Sequence, residues 1–434
     1  VSTFDEEFLQ VPEEIIVDAM LMHQRYFPLY DANHKLTNKF IIVSNGNPAC
    51  AATIIDGNER VVRARLDDAK FFYEEDLKNP LEHYVEKLDS VVFQESLGTV
   101  KQKAERLVKL AESLAVDASL SDQDARDLVR AAYLCKADLV TNAVIEFTSV
   151  QGVMGSYYAT ASGETEQVAQ AIGQHYQPRF AGDVLPDTTV GKLVALADKL
   201  DTICGLFAVG QGPTGSSDPF ALRRSAIGIV NMLEAGVGIS LSAAIDAALA
   251  NFAEQGVVFD LAAVRAEVVD FFVTRTKVML RDAGIESDTI DAVLGAGVEE
   301  PAIISQRAHS LENARKNNAD AFDNLATAFA RANNLRDTGA GTDVDVALLS
   351  EVEAKLNDAV ADAEGKIAAH LEQGDYETAL EVLASLRAPI DAFFADVMVM
   401  DDDLAVRANR LRLLNRFVGV FHDVADFGKM EKKA

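Results

Sequence analysis

The stretch DDLAVRANRLRLLNRFVGVFH, residues 402–422, carries apolar side chains at the three- and four-residue spacing of an α-helix. Its apolar arc, which is expected to face a core, comprises Leu404, Leu411, Leu414, Val418 and Phe421. Nearly all of the chain after Pro80 shows the same periodicity. The sequence therefore predicts a mainly α protein built from several domains.

Helical periodicity and capping signals define the expected helices beyond Pro80. Asp218 is expected to cap one of them, with Pro219 at its first position and Gly236 at its end. The expected helices cover 81–96, 99–116, 121–147, 164–176, 189–208, 218–235, 241–254, 259–283, 287–296, 301–335, 347–372, 375–386, 389–399 and 402–422.

The first 80 residues mix helices with short strands. Residues 12–20 and 58–73 are expected to be helical, and residues 26–30 and 40–43 are expected to pair as a hairpin. This segment is therefore predicted to be a small α+β domain.

Composition narrows the class of protein. Of 434 residues, 49% are hydrophobic and 25% are charged, which excludes a disordered chain and a coiled-coil rod. No apolar run reaches the ~18–20 residues that span a bilayer, so no membrane partner is expected. Cys50, Cys135 and Cys204 form no close pair, which is typical of reduced thiols in a cytoplasmic protein.

The net charge of −28 argues against a general nucleic-acid coat and against DNA binding, because phosphate contacts need lysine and arginine. The charge is unevenly distributed, however. Residues 337–406 hold 17 acids and 3 bases, whereas residues 407–434 hold 7 bases and 3 acids. A locally basic face on an acidic body is compatible with RNA binding.

Four side chains on successive expected helices have the spacing of a helical metal-dependent phosphohydrolase site: His83, Asp138, His175 and Asp198. Such a site needs several of them as direct ligands. The residue before Asp138, where an adjacent histidine is needed, is Ala137, so a central ligand is missing. The alternative is that the two aspartates are capping or ion-pair carboxylates. We expect no metal site.

The segment QGPTGSSDPFALRR, residues 211–224, combines a rigid Gly-Pro loop with hydroxyl and guanidinium groups at a helix start. Thr214, Ser216, Arg223 and Arg224 are candidates for binding a phosphate or a backbone there. The alternative is a buried rigid loop, with Arg223 paired to an aspartate of a neighbouring helix.

Basic side chains near the N-terminus are a second candidate surface. Arg25 precedes two aromatic residues at a strand entrance, and Arg60 and Arg63 share a helical face. The alternatives are an aromatic core with one surface arginine and a solvated face of ion pairs.

The 402–422 helix gives the third candidate surface. Arg412 and Arg416 are expected to lie on its exposed arc with Asn409 beside them, where a polyanion would relieve their repulsion. Arg407 and Arg410 fall nearer the apolar arc and are expected to pair with carboxylates such as Asp396 or Asp402. The alternative is a merely solvated face.

Several blocks of the chain, in order along its whole length, resemble the beta subunit of bacterial glycyl-tRNA synthetase. The blocks are MHQRYFP at 22–28, GNERVVRARL at 57–66, AKFFY at 69–73, VFQE at 92–95, KADLVT at 136–141, QGVMG at 151–155, PRFAGD at 178–183, ADKLD at 197–201 and PTG at 213–215.

The resemblance implies a tRNA-binding subunit of an α₂β₂ ligase. In that family an alpha subunit uses ATP and Mg to activate glycine, and the beta subunit positions tRNA-Gly for aminoacylation. This chain is then expected to be non-catalytic by itself and to hold no cofactor. The start at Val1 implies that N-terminal domains of the family are absent.

The resemblance also implies four domains. They are a small α+β domain over 1–80, a helical domain related to the HD phosphohydrolases over 81–235, a helical connection over 236–305 and a helical anticodon-binding domain over 306–434. The last has a signature helix at 406–414.

Under this interpretation the candidate residues divide into two sets. The tRNA-binding set is Arg25, Arg60, Arg63, Arg407, Asn409, Arg410, Arg412 and Arg416. The set expected to contact the alpha subunit or the tRNA acceptor end is Thr214, Ser216, Arg223 and Arg224. A stand-alone phosphohydrolase of the HD type and a helical RNA-binding scaffold are the alternative functions.

Overall fold

The structure is a computed structural model that describes residues 1–317 and 319–430. Short strands lie within the first hundred residues and helices form most of the rest, which confirms the mainly α class with a small α+β region at the N-terminus. The chain divides into two compact units, 1–268 and 269–434. The four predicted domain boundaries are finer than this division and stay a prediction.

The first unit begins with a three-stranded antiparallel sheet and two helices. The elements are β1 (Ser2–Thr3), α1 (Glu13–Gln24), β2 (Phe27–Tyr30), β3 (Leu36–Ile41) and α2 (Ala51–Asp76). The expected hairpin is confirmed as β2 and β3, and β1 pairs with the other edge of β3. The sequence missed β1 because two residues are too short to show an alternating pattern.

The prediction of a helix over residues 81–96 is wrong. Two 3-10 turns occupy Leu81–Tyr84 and Glu86–Ser90, and a hairpin follows, made of β4 (Val92–Gln94) and β5 (Gly98–Thr99). The Gln94 side chain accepts from the backbone N–H groups of the two residues before Gly98, which closes the turn. These local bonds compete with helix formation.

Nine helices complete the description of the first unit and lead into the second. They are α3 (Val100–Asp117), α4 (Asp122–Leu134), α5 (Asn142–Glu146), α6 (Val153–Ala161), α7 (Glu166–Gln174), α8 (Thr189–Ala208), α9 (Leu222–Glu234), α10 (Leu241–Gln255) and α11 (Leu261–Asp282). Helix α8 has the expected bounds and is buried on nearly every face, so it is the central helix of this unit.

The helix expected over 121–147 is interrupted. Asp76, buried at the end of α2, accepts hydrogen bonds at 2.9 Å from the backbone N–H groups of Asn142 and Ala143 and from the Tyr158 hydroxyl. This carboxylate starts α5 as a separate helix. The sequence analysis also missed α6, which follows Gly152 in a positive-φ conformation.

Helix α9 begins four residues later than expected. Asp218 does cap it, but from a distance, because its carboxylate accepts from the N–H groups of Leu222 at 2.8 Å and Arg223 at 3.0 Å. Pro219 therefore lies in the loop before the helix rather than at its first position. Gly236, with φ of +81°, ends the helix as expected.

The second unit is a helical bundle. Its remaining helices are α12 (Ser287–Gly295), α13 (Pro301–Asn317), α14 (Ala319–Leu335), α15 (Glu351–Glu372), α16 (Tyr376–Ser385), α17 (Arg387–Asp396) and α18 (Leu404–His422). The helix expected over 301–335 corresponds to α13 and α14, on either side of residue 318, which lies outside the described residues. Helix α18 lies in the core, where Leu414, Phe417 and Phe421 are fully buried.

The structure corrects the predicted apolar arc of α18 at Leu404. It was expected to face the core but is 71% exposed, because it is the first residue of the helix and lies beyond the bundle. The other four members of the predicted apolar arc are buried. In the parts of the chain that the structure describes, no helix has the length and apolarity needed to cross a membrane.

Candidate functional site

A cluster of buried charges surrounds α8 in the first unit. Lys103 of α3 contacts Asp198 at 3.1 Å and Asp201 at 2.9 Å, and Arg106 contacts Asp201 through two bonds of 2.7 and 3.0 Å. Lys136, directly after α4, donates to the other Asp198 oxygen at 2.8 Å. We call these five residues the buried charge cluster.

His175 joins this cluster as a neutral acceptor. Its Nδ1 lies 2.6 Å from the Ile172 carbonyl oxygen and therefore carries the proton, which leaves Nε2 to accept from Lys136 at 2.9 Å. Burial, reinforced by the Lys136 charge, holds the pKa of His175 well below 6.5. A positive ammonium group thus lies between the two side chains that a metal site would need.

The aspartates of the cluster stay ionised. Burial alone would raise the pKa of Asp198, but the charges of Lys103 and Lys136 outweigh burial and hold that pKa far below 3.8. The same balance lowers the pKa of Asp201, where Lys103 and Arg106 are the neighbours. The carboxylates are therefore already matched by lysine and arginine.

Asp138 faces a different group. Its Oδ2 accepts from the backbone N–H groups of Gly152 at 2.5 Å and Gly155 at 3.0 Å. Gly155 is needed there, since a Cβ atom would lie 2.9 Å from the Ile172 side chain and 3.0 Å from that oxygen. Burial raises the pKa of Asp138 to about 6 despite these two donors.

The residues present do not fit the metal that an HD-type phosphohydrolase uses. His83 is exposed and packs edge-on against Tyr84, Asp138 is used by backbone N–H groups, and Lys136 occupies the space between His175 and Asp198. Within residues 1–317 and 319–430, no group of three or more His, Cys, Asp or Glu side chains is arranged to hold a metal ion.

The 211–224 segment forms a tight turn and then a helix start. Thr214 and Ser217 pair through two backbone hydrogen bonds, with Ser216 exposed at the tip of the turn. Arg223 donates to the Gly215 carbonyl at 2.7 Å. The alternative in which Arg223 pairs with an aspartate of a neighbouring helix, Asp198 or Asp201, is therefore wrong, since the buried lysines and Arg106 already contact both carboxylates.

Arg224, in contrast, is exposed and has no hydrogen-bond or carboxylate partner among the described residues. The same holds for the Arg25 guanidinium, which follows α1 in a left-handed backbone conformation. Arg60 pairs with Asp56 at 2.8 Å and Arg63 pairs with Asp5 at 2.5 Å. The alternative of a solvated face of ion pairs describes Arg60 and Arg63 well.

Arg410 links α18 to two other parts of the second unit. Its Nε donates to Glu353 of α15, and its Nη1 donates to Asp401 at 2.7 Å. Arg407 donates to the Asp401 carbonyl at 2.8 Å and pairs with no carboxylate in the described ranges, so the carboxylate pairing expected for it is wrong. The expectation that Arg410 pairs with a carboxylate is confirmed, but the partners are Glu353 and Asp401 rather than Asp396 or Asp402.

The prediction that Asn409, Arg412 and Arg416 form a free, exposed arc on α18 is wrong, because all three side chains have partners within the second unit. Asn409 is 1% exposed, and it both donates to and accepts from the backbone of Asp345 at 2.9 and 2.7 Å. Arg416 pairs with Glu364 at 2.5 Å, and Arg412 donates to the Ala340 carbonyl at 3.0 Å. The chain between α14 and α15 covers this arc, which the pattern within one helix does not reveal.

Sequence reasoning missed a group of basic side chains in the second unit, around a cavity whose wall also includes Asp426. This cavity of about 410 Å³ between α14 and α18 is lined by Arg336, His422 and Lys429. None of the three side chains has a carboxylate partner in the described ranges. They are far apart in sequence, so only the folded chain brings them together.

Comparison with known proteins places these observations in a family. A family model described as glycyl-tRNA synthetase beta subunit matches residues 1–295, and a model described as DALR anticodon binding domain matches residues 307–427. The anticodon-binding match falls within the second unit, on the bundle that contains α18.

Curated relatives agree with these matches. A glycine–tRNA ligase beta subunit of Desulforamulus reducens is 45% identical over 432 residues, which is 99% of this chain and 62% of the relative. The corresponding proteins of Haemophilus influenzae and Moorella thermoacetica are 42% and 44% identical over 99% and 98% of this chain, and again 62% of each relative is covered. The chain spans about 62% of the length of these relatives.

The resemblance seen in the sequence is confirmed, because the first family match covers more than half of the residues. The chain belongs to the glycyl-tRNA synthetase beta subunit family.

Proposed function

We propose that this chain is the tRNA-binding part of a glycine–tRNA ligase. It binds tRNA-Gly and positions it for aminoacylation, in which ATP, glycine and tRNA-Gly give glycyl-tRNA. A separate alpha subunit holds the active site and uses ATP and Mg, and the two subunits assemble as α₂β₂ in the cytoplasm. The observation that carries the proposal is the anticodon-binding match over residues 307–427 in a chain of this family.

The state of each arginine indicates which residues contact tRNA. A guanidinium already paired with a carboxylate has little net charge to offer a phosphate, and this applies to Arg60, Arg63, Arg410 and Arg416. We propose that Arg410 and Arg416 hold the fold together with the buried Asn409, and that Arg60 and Arg63 form solvated ion pairs.

The remaining arginines of the candidate tRNA-binding set are not paired with a carboxylate in the described chain, so their positive charge is available to a phosphate. Arg407 and Arg412 bond only to carbonyl oxygens, and Arg25 has no partner in the described chain. We propose these three as tRNA contacts, and we add Arg336 and Lys429 beside the cavity between α14 and α18. The exposed turn with Thr214 and Ser216, together with Arg223 and Arg224, is proposed to contact the alpha subunit or the tRNA acceptor end.

Charge-removing variants test this assignment of surfaces. The double variant Arg336→Ala/Lys429→Ala should bind tRNA-Gly with a shallower dependence of log affinity on log salt concentration. The magnitude of this slope should fall by roughly 1.4–1.8, since each phosphate contact contributes about 0.7–0.9 to it. Arg60→Ala/Arg63→Ala removes the same charge from carboxylate-paired positions and is the matched control, expected to change the slope little. Equal slopes for both variants and the unmodified chain would remove Arg336 and Lys429 from the interface.

Division of labour between the subunits is tested by glycine-dependent exchange of ATP with pyrophosphate. The chain alone should show none, and the alpha subunit should supply the activity. The mass of the mixed complex by light scattering tests the α₂β₂ stoichiometry. Exchange above background by the purified chain alone would contradict the proposal.

A further inference from the structure

A polar cavity of about 310 Å³ opens beside the buried charge cluster, within the first unit. Its walls include Tyr176, Arg179, Lys199, Thr202, Arg224 and Ser225, which come from the α7–α8 loop, from α8 and from α9. The volume of this cavity is at the lower end of the ~300–1,000 Å³ that small-molecule sites occupy. The cavity therefore suits a small group rather than a nucleic-acid duplex.

The wall of this cavity is positively charged. Arg179 and Arg224 are exposed, and neither guanidinium has a partner among the described residues. Lys199 is buried, and its ammonium group donates to the carbonyl oxygens of Tyr176 at 3.1 Å and Gln177 at 2.9 Å, which do not neutralise it. Three basic residues thus line one cavity.

The single carboxylate in the wall does not cancel this charge. Asp198 is bound by Lys136 through one oxygen and by Lys103 through the other. Both oxygens are therefore already matched by cations behind the wall. In a chain whose net charge is −28, such a concentration of unpaired cations around one cavity indicates an anionic ligand.

The number and shape of the donors indicate the class of anion. Arg179, Arg224 and Lys199 line the space, together with the hydroxyl-bearing residues Tyr176 and Ser225. A carboxylate has two oxygens, whereas a phosphate presents three or four to such a set, and arginine forks match phosphate geometry.

We propose that this cavity binds a phosphate group, held by Arg179 and Arg224 with Lys199 behind it. The group is either a phosphate of RNA or that of a free small phosphate ester. The inference deepens the proposed function at Arg224, and for a phosphate of RNA it rests on that function, but the cavity lies outside the anticodon-binding match.

Calorimetric titration of the full chain with inorganic phosphate at low salt tests the proposal. We expect saturable binding below roughly 20 mM, a range that covers a millimolar site. Arg179→Gln/Arg224→Gln should weaken it by about tenfold or more, since charge-assisted hydrogen bonds are lost. Both side chains are exposed, so melting curves should show that the variant folds.

The matched control is Lys109→Gln/Arg126→Gln, which removes two exposed cations that do not line the cavity. It should bind phosphate within about twofold of the unmodified chain, because screened distant charges contribute little. Absence of saturable binding, unchanged binding in Arg179→Gln/Arg224→Gln, or an equal loss in the control would overturn the proposal.

Addition of tRNA-Gly to the same titration distinguishes the two sources. Displacement of phosphate by tRNA assigns the site to RNA, and independent binding assigns it to a free phosphate ester. If the chain bound no tRNA at all, the proposed function would fail while the phosphate titration still reported on this cavity.

Discussion

Lys136 determines the chemistry of the buried centre of the first unit. Its ammonium group contacts Asp198, His175 and, at 4.0 Å from the ring centroid, Tyr176. A permanent cation here keeps both potential ligands in hydrogen bonds with the protein itself. A lysine thus lies between the two side chains that a metal site would need.

Replacing Lys136 tests this role. Lys136→Met should cost about 2–4 kcal/mol in the free energy of unfolding, because Asp198 keeps only Lys103 and His175 loses its donor. The double variant Lys136→Met/Asp198→Asn removes both charges and should be more stable than the sum of its single variants predicts. Strictly additive losses in urea unfolding would show that the two groups are not coupled.

Asp138 gives a pH-dependent prediction. Its pKa of about 6 lies above that of an ordinary aspartate, so the charged form is the disfavoured one in the folded chain. Stability from this group is greatest below the unfolded pKa of ~4 and is lost as the pH rises through about 6.

Asp138→Asn should therefore equal or exceed the unmodified chain in melting temperature at pH 8, and that advantage should disappear at pH 5. The amide oxygen still accepts from Gly152 and Gly155. Asp138→Ala, the control that removes the acceptor, should be destabilised by about 2–4 kcal/mol at either pH. A larger loss for Asn at pH 8 than at pH 5 would contradict this account.

At this scale the sequence identified part of the centre. Of the candidate metal ligands, His175 and Asp198 both contact Lys136, whereas His83 is exposed. The role of Lys136 was not predicted, because a lysine is ordinarily a surface residue and only tertiary packing brings it between those two side chains.

At the scale of elements, α18 organises the second unit through polar contacts as well as apolar ones. Asn409, Arg412 and Asn415 hold the backbone of residues 337–345, and Arg410 holds α15 through Glu353. The helix that was expected to present a free basic arc is therefore largely engaged within the unit.

The Arg410–Glu353 pair gives a prediction for this element. Arg410→Met should cost about 3–5 kcal/mol, since it leaves Glu353, which is 1% exposed, without its cation. Arg410→Met/Glu353→Gln should recover most of that loss, because glutamine can still bond the Ser350 N–H in the capping box at the start of α15. Equal unfolding free energies for the two variants would show that the carboxylate charge is not the cause.

Helices were predictable where a strong apolar pattern and an ordinary cap coincide, as in α8, whose bounds match the expectation. They were not predictable where a distant side chain sets the boundary. Asp76 starts α5 from another part of the chain, and Asp218 caps α9 across the three residues 219–221. The covering of α18 by residues 337–345 is likewise a contact between distant segments.

At the scale of the whole molecule, charge is the organising property. The chain carries −28 overall, yet unpaired cations collect around two cavities, one beside α8 and one between α14 and α18. Under the proposed function, the acidic body repels RNA from most of the surface and the cations around these cavities attract it. The family match and this distribution of charge support the same function independently.

The most direct test of that function is the affinity of the chain for tRNA-Gly and for the same tRNA with a changed anticodon, measured by fluorescence anisotropy over a series of salt concentrations. Base-specific contacts are worth about 1–3 kcal/mol, so tRNA-Gly should bind roughly tenfold or more tightly at every salt concentration. The two slopes of log affinity against log salt should be equal, because the phosphate contacts are shared. Equal affinities for the two RNAs, or no binding of tRNA-Gly at low salt, would contradict the assignment of this chain as the part that recognises tRNA-Gly.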